Sequence, residues 1–283
     1  MPRANALMIG KGTDMGNELT AGHGFKFRHQ LAQELSKRLQ RSADILAAWE
    51  GGSSANSTSD QFSDIDLNIL YVGNEDLVFQ MVEATLKDFS EITHIYNEPK
   101  SLWPDLTQKV YFIKDSPKHF FVDVATFPDS KLAILEEFMQ MERHGKPVIL
   151  FDKVDRIKSH PLDREAFLKR QQRRLNEVEA FPVYRTTVFK ELDRGNSIDA
   201  FAFYYSGMLR PLIEVIGMIY RPYRFDFGFR HLKRCLPSDL YHRIEPYFFV
   251  GDLNQLQDNA TSVDKLFTQM VVEAKLKLSQ NPT

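Results

Sequence analysis

Two aspartates one residue apart, Asp64 and Asp66, sit in an apolar run with Ile65, Leu67, Ile69 and Leu70. Side chains alternate along an extended strand, so both carboxylates project to the same side. At that range they repel, and each raises the other's pKa unless a cation stands between them. All-oxygen donors favour hard divalent ions, Mg²⁺ or Mn²⁺. Upstream lies Gly51-Gly52-Ser53-Ser54. Its glycines let backbone N–H groups approach an anion, and Ser53 adds a hydroxyl donor. A phosphate cradle beside a metal-binding carboxylate pair describes a nucleotide site. The competing reading is a polar surface loop with incidental acids, but unpaired carboxylates flanked by Leu67, Ile69 and Leu70 would be costly to bury.

This arrangement resembles the nucleotidyltransferase superfamily that includes DNA polymerase beta and the antibiotic nucleotidyltransferases. The hallmark there is a Gly-Ser turn, a spacer and Asp-x-Asp on the next strand. Gly52-Ser53 and Asp64-Ile65-Asp66 fill those positions. The superfamily carries a third carboxylate on a later strand. Asp123, set in Phe120-Phe121-Val122-Asp123-Val124-Ala125-Thr126-Phe127, answers to it. An Asp inside a β-branched and aromatic run is unexpected on packing grounds alone. Asp115 and Asp129 sit beside prolines and read as turn residues.

The elements around these residues follow from periodicity and punctuation. Residues 1 to 24, with Gly10, Gly12, Gly16, Gly22 and Gly24, read as an irregular arm. Leu31, Leu35 and Leu39 predict a helix from about Lys26 to Arg41. Strands are expected at Ile45 to Glu50, Asp64 to Val72, Ile92 to Tyr96, Lys109 to Ile113, Phe120 to Phe127 and Pro147 to Phe151. Asn74 caps a helix running to Phe89, and Asp129-Ser130 opens another through Met141. The expected fold is α+β, a small mixed β-sheet core in residues 1–155 followed by an all-helical domain in 156–283. Helices are predicted there at Arg164 to Ala180, Thr186 to Arg194, Ser197 to Tyr220, Asp239 to Phe248 and Val263 to Leu278. The resemblance implies the same layout, since the antibiotic-modifying members pair a mixed domain with a helical one.

Composition narrows the choices. The 283 residues are 43% hydrophobic, enough for a sizeable core. One cysteine, Cys235, excludes an internal disulfide and points to a reducing, cytoplasmic setting. No apolar run is long enough for a signal peptide or a membrane span. The formal net charge of −2 argues against long nucleic acid as a partner. That charge is split, −6 through Leu150 and +4 beyond it. An acidic half and a basic half suit a Mg²⁺-nucleotide held between them. The eight histidines show no paired spacing for zinc. Gly10-Lys11-Gly12-Thr13 lacks the full phosphate-loop spacing.

Two basic segments remain. Lys169-Arg170-Gln171-Gln172-Arg173-Arg174 reads as a solvated helix face, with charges spread around the axis. Tyr220 to His231 interleaves rings with guanidinium groups, which can stack on a base or pair with phosphates. Core packing with snorkelling arginines is the alternative.

The resemblance implies transfer of a nucleoside monophosphate from an NTP, with ATP expected, to a hydroxyl of a small-molecule acceptor, releasing pyrophosphate. Asp64, Asp66 and Asp123 would be the catalytic and metal-binding residues. Gly51, Gly52, Ser53 and Ser54 would hold the phosphates, with Arg210, Tyr220 and Arg224 as further nucleotide contacts. A protein or RNA acceptor, or a non-catalytic nucleotide sensor, are the alternatives.

Overall fold

The computed structural model describes residues 15–99, 106–178 and 181–280, with only the backbone of 15–23. The chain divides into two compact units, Met1–Pro161 and Leu162–Thr283. The expected α+β class is what the structure shows, a mixed sheet with helices followed by a helical unit. The phosphate-loop-like Gly10-Lys11-Gly12-Thr13 lies outside the described residues.

The first unit runs α1 (Met15–Leu39), β1 (Ile45–Glu50), α2 (Gly52–Ala55), β2 (Ile65–Tyr71), α3 (Glu75–Phe89), β3 (Ile92–Asn97), β4 (Thr107–Ile113), β5 (Val122–Pro128), α4 (Leu132–Phe138), α5 (Met141–His144) and β6 (Val148–Asp152). The sheet order is β3-β4-β5-β2-β1-β6. Its central pair, β2 and β5, is parallel, and every other pair is antiparallel.

Alternation along β2 gives each sheet face its own core. Ile65, Leu67, Ile69 and Tyr71 join Val122 and Val124 of β5 under α1 and α3, whose Leu31, Leu35, Val82 and Leu86 are fully buried. On the opposite face Leu70, Ala125 and Phe127 pack with Trp49, Leu135 and Met139. Asp66 and Asp123 fall on this second face by the same alternation.

Two local expectations are corrected. The helix expected from Lys26 begins at Met15, so the glycine-containing stretch from Met15 is helical rather than an irregular arm. No proline interrupts that stretch, and a glycine costs a helix only about 1 kcal/mol. Gly24 is used for close approach, because a Cβ there would lie 2.9 Å from the Gln61 carbonyl oxygen. The expected Gly-Ser turn is one turn of helix, Gly52–Ala55. The helix expected through Met141 stops at Phe138, where the Met139 carbonyl accepts from the His160 N–H and Gln140 bridges to His160.

The second unit contains α6 (Arg164–Glu177), α7 (Phe181–Asp193), α8 (Ser197–Phe203), α9 (Arg210–Tyr220), α10 (Leu232–Cys235), α11 (Ser238–Ile244) and α12 (Leu253–Gln280). Asp163 caps α6 by accepting from the Ala166 N–H. The last helix starts ten residues before the expected Val263, because Leu256 and Ala260 continue its buried stripe. The stretch from α8 to α9 is a single helical path that widens into a π-turn at Tyr204–Leu209. Pro211 explains the widening, since it has no N–H for the Gly207 carbonyl and its ring crowds that oxygen. α9 is the heart of this core, buried from Pro211 to Ile219. Among the described residues no helix is long and apolar enough to cross a membrane.

Candidate active site

The register of the parallel pair decides how the acids meet. Asp66 on β2 is the direct partner of Asp123 on β5. Partners in a parallel pair project from the same face, so both carboxylates rise beside each other. Asp64 lies one residue before β2, and its Oδ1 accepts from the Phe121 N–H at 2.9 Å, across the start of β5. Gln108 of β4 donates from Nε2 to both oxygens of Asp123, at 2.8 and 2.7 Å. The three acids chosen from sequence thus come to one end of one sheet face.

The glycine turn closes on the same place. Gly51 continues the β1–β2 ladder, its N–H donating to the Asp66 carbonyl at 2.9 Å. Gly52 follows with φ of +50°, and a Cβ there would lie 1.8 Å from Asp66 Oδ2. Only glycine satisfies both the left-handed backbone and that contact. Ser53 exchanges a hydroxyl contact of 3.2 Å with Ser59. Ser54 is tied elsewhere, donating to Glu50 Oε2 at 2.7 Å.

Sequence reasoning missed the support beneath this turn. Glu50 is 5% exposed and is paired to Arg28 of α1. Arg28 also donates to Ser54 Oγ at 2.5 Å and to the Asp64 carbonyl at 3.0 Å. One guanidinium therefore ties the end of β1, the turn and the approach to β2. Glu50 was legible only as the last residue of a strand. Arg28 carried no local signal, because its partners are 22 to 36 residues away.

The electrostatics match the crowding. Burial pushes Asp64 up to about 6, with Asp66 adding to the rise and the Phe121 N–H and Arg28 opposing it. Burial likewise pushes Asp123 up to about 6. Gln108 opposes that rise, while Asp66, Glu98 and Asp64 add to it. Glu98, at the end of β3, is a fourth acid near the group that the sequence did not single out.

Among the described residues, no three His, Cys, Asp or Glu side chains stand as found where one ion could be held. Asp64 and Asp123 are instead engaged by Phe121 and Gln108. The donor chemistry does fit a hard divalent ion: part-buried carboxylates, close enough to disfavour each other's charge, with oxygen donors only. The residues for such a site are present, and their coordination shell is not closed.

The three candidates from the helical unit are not brought together. Arg210 opens α9 and lines a cleft of about 450 Å³ within this unit. Tyr220 and Arg224 are not among the residues lining it. Tyr220 lies under Lys277, whose Nζ is 5.5 Å from the ring centre, and Arg224 lies over Phe227. The aromatic–arginine segment is in part core: Phe225 is 2% exposed, and buried Arg221 donates to the Arg230 and Gly228 carbonyls.

No protein-family model matches the sequence, and no curated protein matches it. Among solved structures, an aminoglycoside 6-adenyltransferase from Bacillus subtilis is similar, with a TM-score of 0.35 and 12% identity over 91% of this chain and 92% of that one. A likeness this distant carries no argument about activity.

Proposed function

We propose that the protein is a metal-dependent nucleotidyltransferase that moves a nucleoside monophosphate from an NTP to a hydroxyl of a small-molecule acceptor. The observation that carries this reading is the pairing of Asp66 with Asp123 on adjacent parallel strands, with Gly52 packed against the Asp66 carboxylate. ATP is the nucleotide we propose.

Asp64 and Asp66 would hold Mg²⁺ or Mn²⁺, with Asp123 beside them. When bound, the ion supplies positive charge to the phosphate oxygens of the substrate. The Gly52 backbone and the Ser53 hydroxyl receive the terminal phosphates, while Gly51 holds the turn through its N–H bond to the Asp66 carbonyl. Ser54 acts from behind, holding the turn to Glu50 and Arg28. The acceptor oxygen attacks the α-phosphorus, the bond to the β-phosphate oxygen breaks, and pyrophosphate leaves. Asp123, oriented by Gln108, takes the acceptor's proton.

Pyrophosphate release from Mg-ATP, measured against a panel of hydroxyl-bearing small molecules, tests the proposal. Acceptor-dependent release that is lost in Asp66→Asn supports it. Saturable Mg-ATP binding with no release across small-molecule, protein and RNA acceptors would instead mark a nucleotide sensor.

A further inference from the structure

The basic run of α6 is largely solvent-exposed, as expected, and three of its cations share one side of the helix. Arg170, Arg173 and Arg174 line the cleft of about 450 Å³ in the helical unit, facing Arg210 and Glu214 of α9, with Phe225 at its base. Spacings of three and four residues place these side chains on one stripe of each helix. The π-turn ahead of Arg210 contributes, since one extra residue in a turn rotates everything after it by about 100°.

The charges in this cleft are unequally used. Arg174 is spent on Glu214 at 2.6 Å and on Glu177 at 3.0 Å. Arg170 pairs with Asp226 at 2.6 Å. Arg210 is 61% exposed, and its ion pair is a 3.5 Å contact to Glu214. Arg173 is exposed and makes no hydrogen bond or ion pair among the described residues. Each guanidinium carries five N–H donors, so most of the donors lining the cleft are unclaimed. The three carboxylates repel an extended polyanion such as nucleic acid. What remains suits one compact group with several oxygens, met from two helices by planar forks.

We propose that this cleft is a phosphate-group site of the helical unit, with Arg173 and Arg210 as its principal ligands. The site is built from residues of the helical unit alone and needs no metal. Its ligand is a phosphoryl group, carried either by the nucleotide or by a separate phosphorylated molecule.

The test is calorimetric titration of the full-length protein with inorganic pyrophosphate in the absence of divalent metal. Wild type should bind saturably. The Arg173→Gln/Arg210→Gln double variant should bind at least tenfold more weakly. Both arginines are exposed, so melting temperature should hold. Glu177→Gln removes an exposed acid from the rim and should tighten binding several-fold, a gain that misfolding cannot produce. Absence of saturable binding, or equal affinity in the double variant, overturns the proposal. Mg-ATP titration of the double variant assigns the source: weakened binding means the nucleotide's own phosphates, and unchanged binding means a separate phosphorylated ligand.

Discussion

Asp66 and Asp123 are register partners on the parallel strands β2 and β5, on the sheet face that α1 and α3 leave uncovered. Neither belongs to the apolar cluster on either side of the sheet. Two acids set side by side at the centre of a sheet lower its stability unless something positive joins them.

Replacing one of them should therefore separate stability from activity. In Asp66→Asn, nucleotidyl transfer should fall by about a hundredfold or more, the scale of losing one electrostatic contribution to a transition state. Without metal, the melting temperature should hold or rise as repulsion is relieved. A sharply lower melting temperature would assign Asp66 a structural role.

Gly52→Ala tests the fit of the turn. The left-handed backbone would cost about 1–2 kcal/mol in a residue bearing a Cβ. The larger effect is local, because the new methyl would displace the Asp66 carboxylate, 1.8 Å from its position. Turnover should fall as far as in Asp66→Asn while the fold survives modest destabilisation. Unaltered turnover would show that Asp66 is not required where it stands.

Arg28→Ala should act through stability. The Arg28–Glu50 pair is buried, with side chains 14% and 6% exposed. Removing one partner strands the other's charge, at about 3 kcal/mol or more. Urea denaturation should show the loss, and Arg28→Ala/Glu50→Gln should recover part of it. If the single variant unfolds at the wild-type midpoint, this pair does not hold the turn.

The pH dependence has a definite sign. Asp64 and Asp123 sit at about 6 in the fold, against an ordinary value of 3.8. The folded state thus holds protons that the unfolded chain has released. Their contribution is full below about pH 3.8 and lost as pH rises through about 6. Metal-free protein should lose stability over that interval, and Asp64→Asn/Asp123→Asn should flatten the slope. Saturating Mg²⁺ should also flatten it, by stabilising the charged forms. A slope identical in the double variant would locate the titration elsewhere.

Much of this was legible in the sequence. Ile45–Glu50 was delimited as found, and Asn74 caps α3 by accepting from the Asp76 N–H as its side chain predicts. These are local signals: apolar runs, turn residues and a cap. Asp123 stood out because a charge amid Val122, Val124 and Phe127 breaks a packing rule. What stayed hidden depends on contacts distant in sequence. Arg28 reaches Glu50 and Ser54 only after α1 docks on the sheet, and Gln108 orients Asp123 only once β4 has paired with β5. The common face of Arg170, Arg173 and Arg174 acquired meaning only from Arg210 and Glu214 opposite, placed by a helix that Pro211 has widened.

The central claim, that the carboxylate face with its glycine turn receives a metal–nucleotide, is tested most directly by calorimetric titration with a non-hydrolysable ATP analogue. Wild type and Asp66→Asn should be compared with and without Mg²⁺. The account predicts saturable binding that Mg²⁺ strengthens in wild type, and at least a tenfold loss of that Mg²⁺-dependent gain in Asp66→Asn. Equal Mg²⁺-dependent binding by both proteins, or none by wild type, would contradict it.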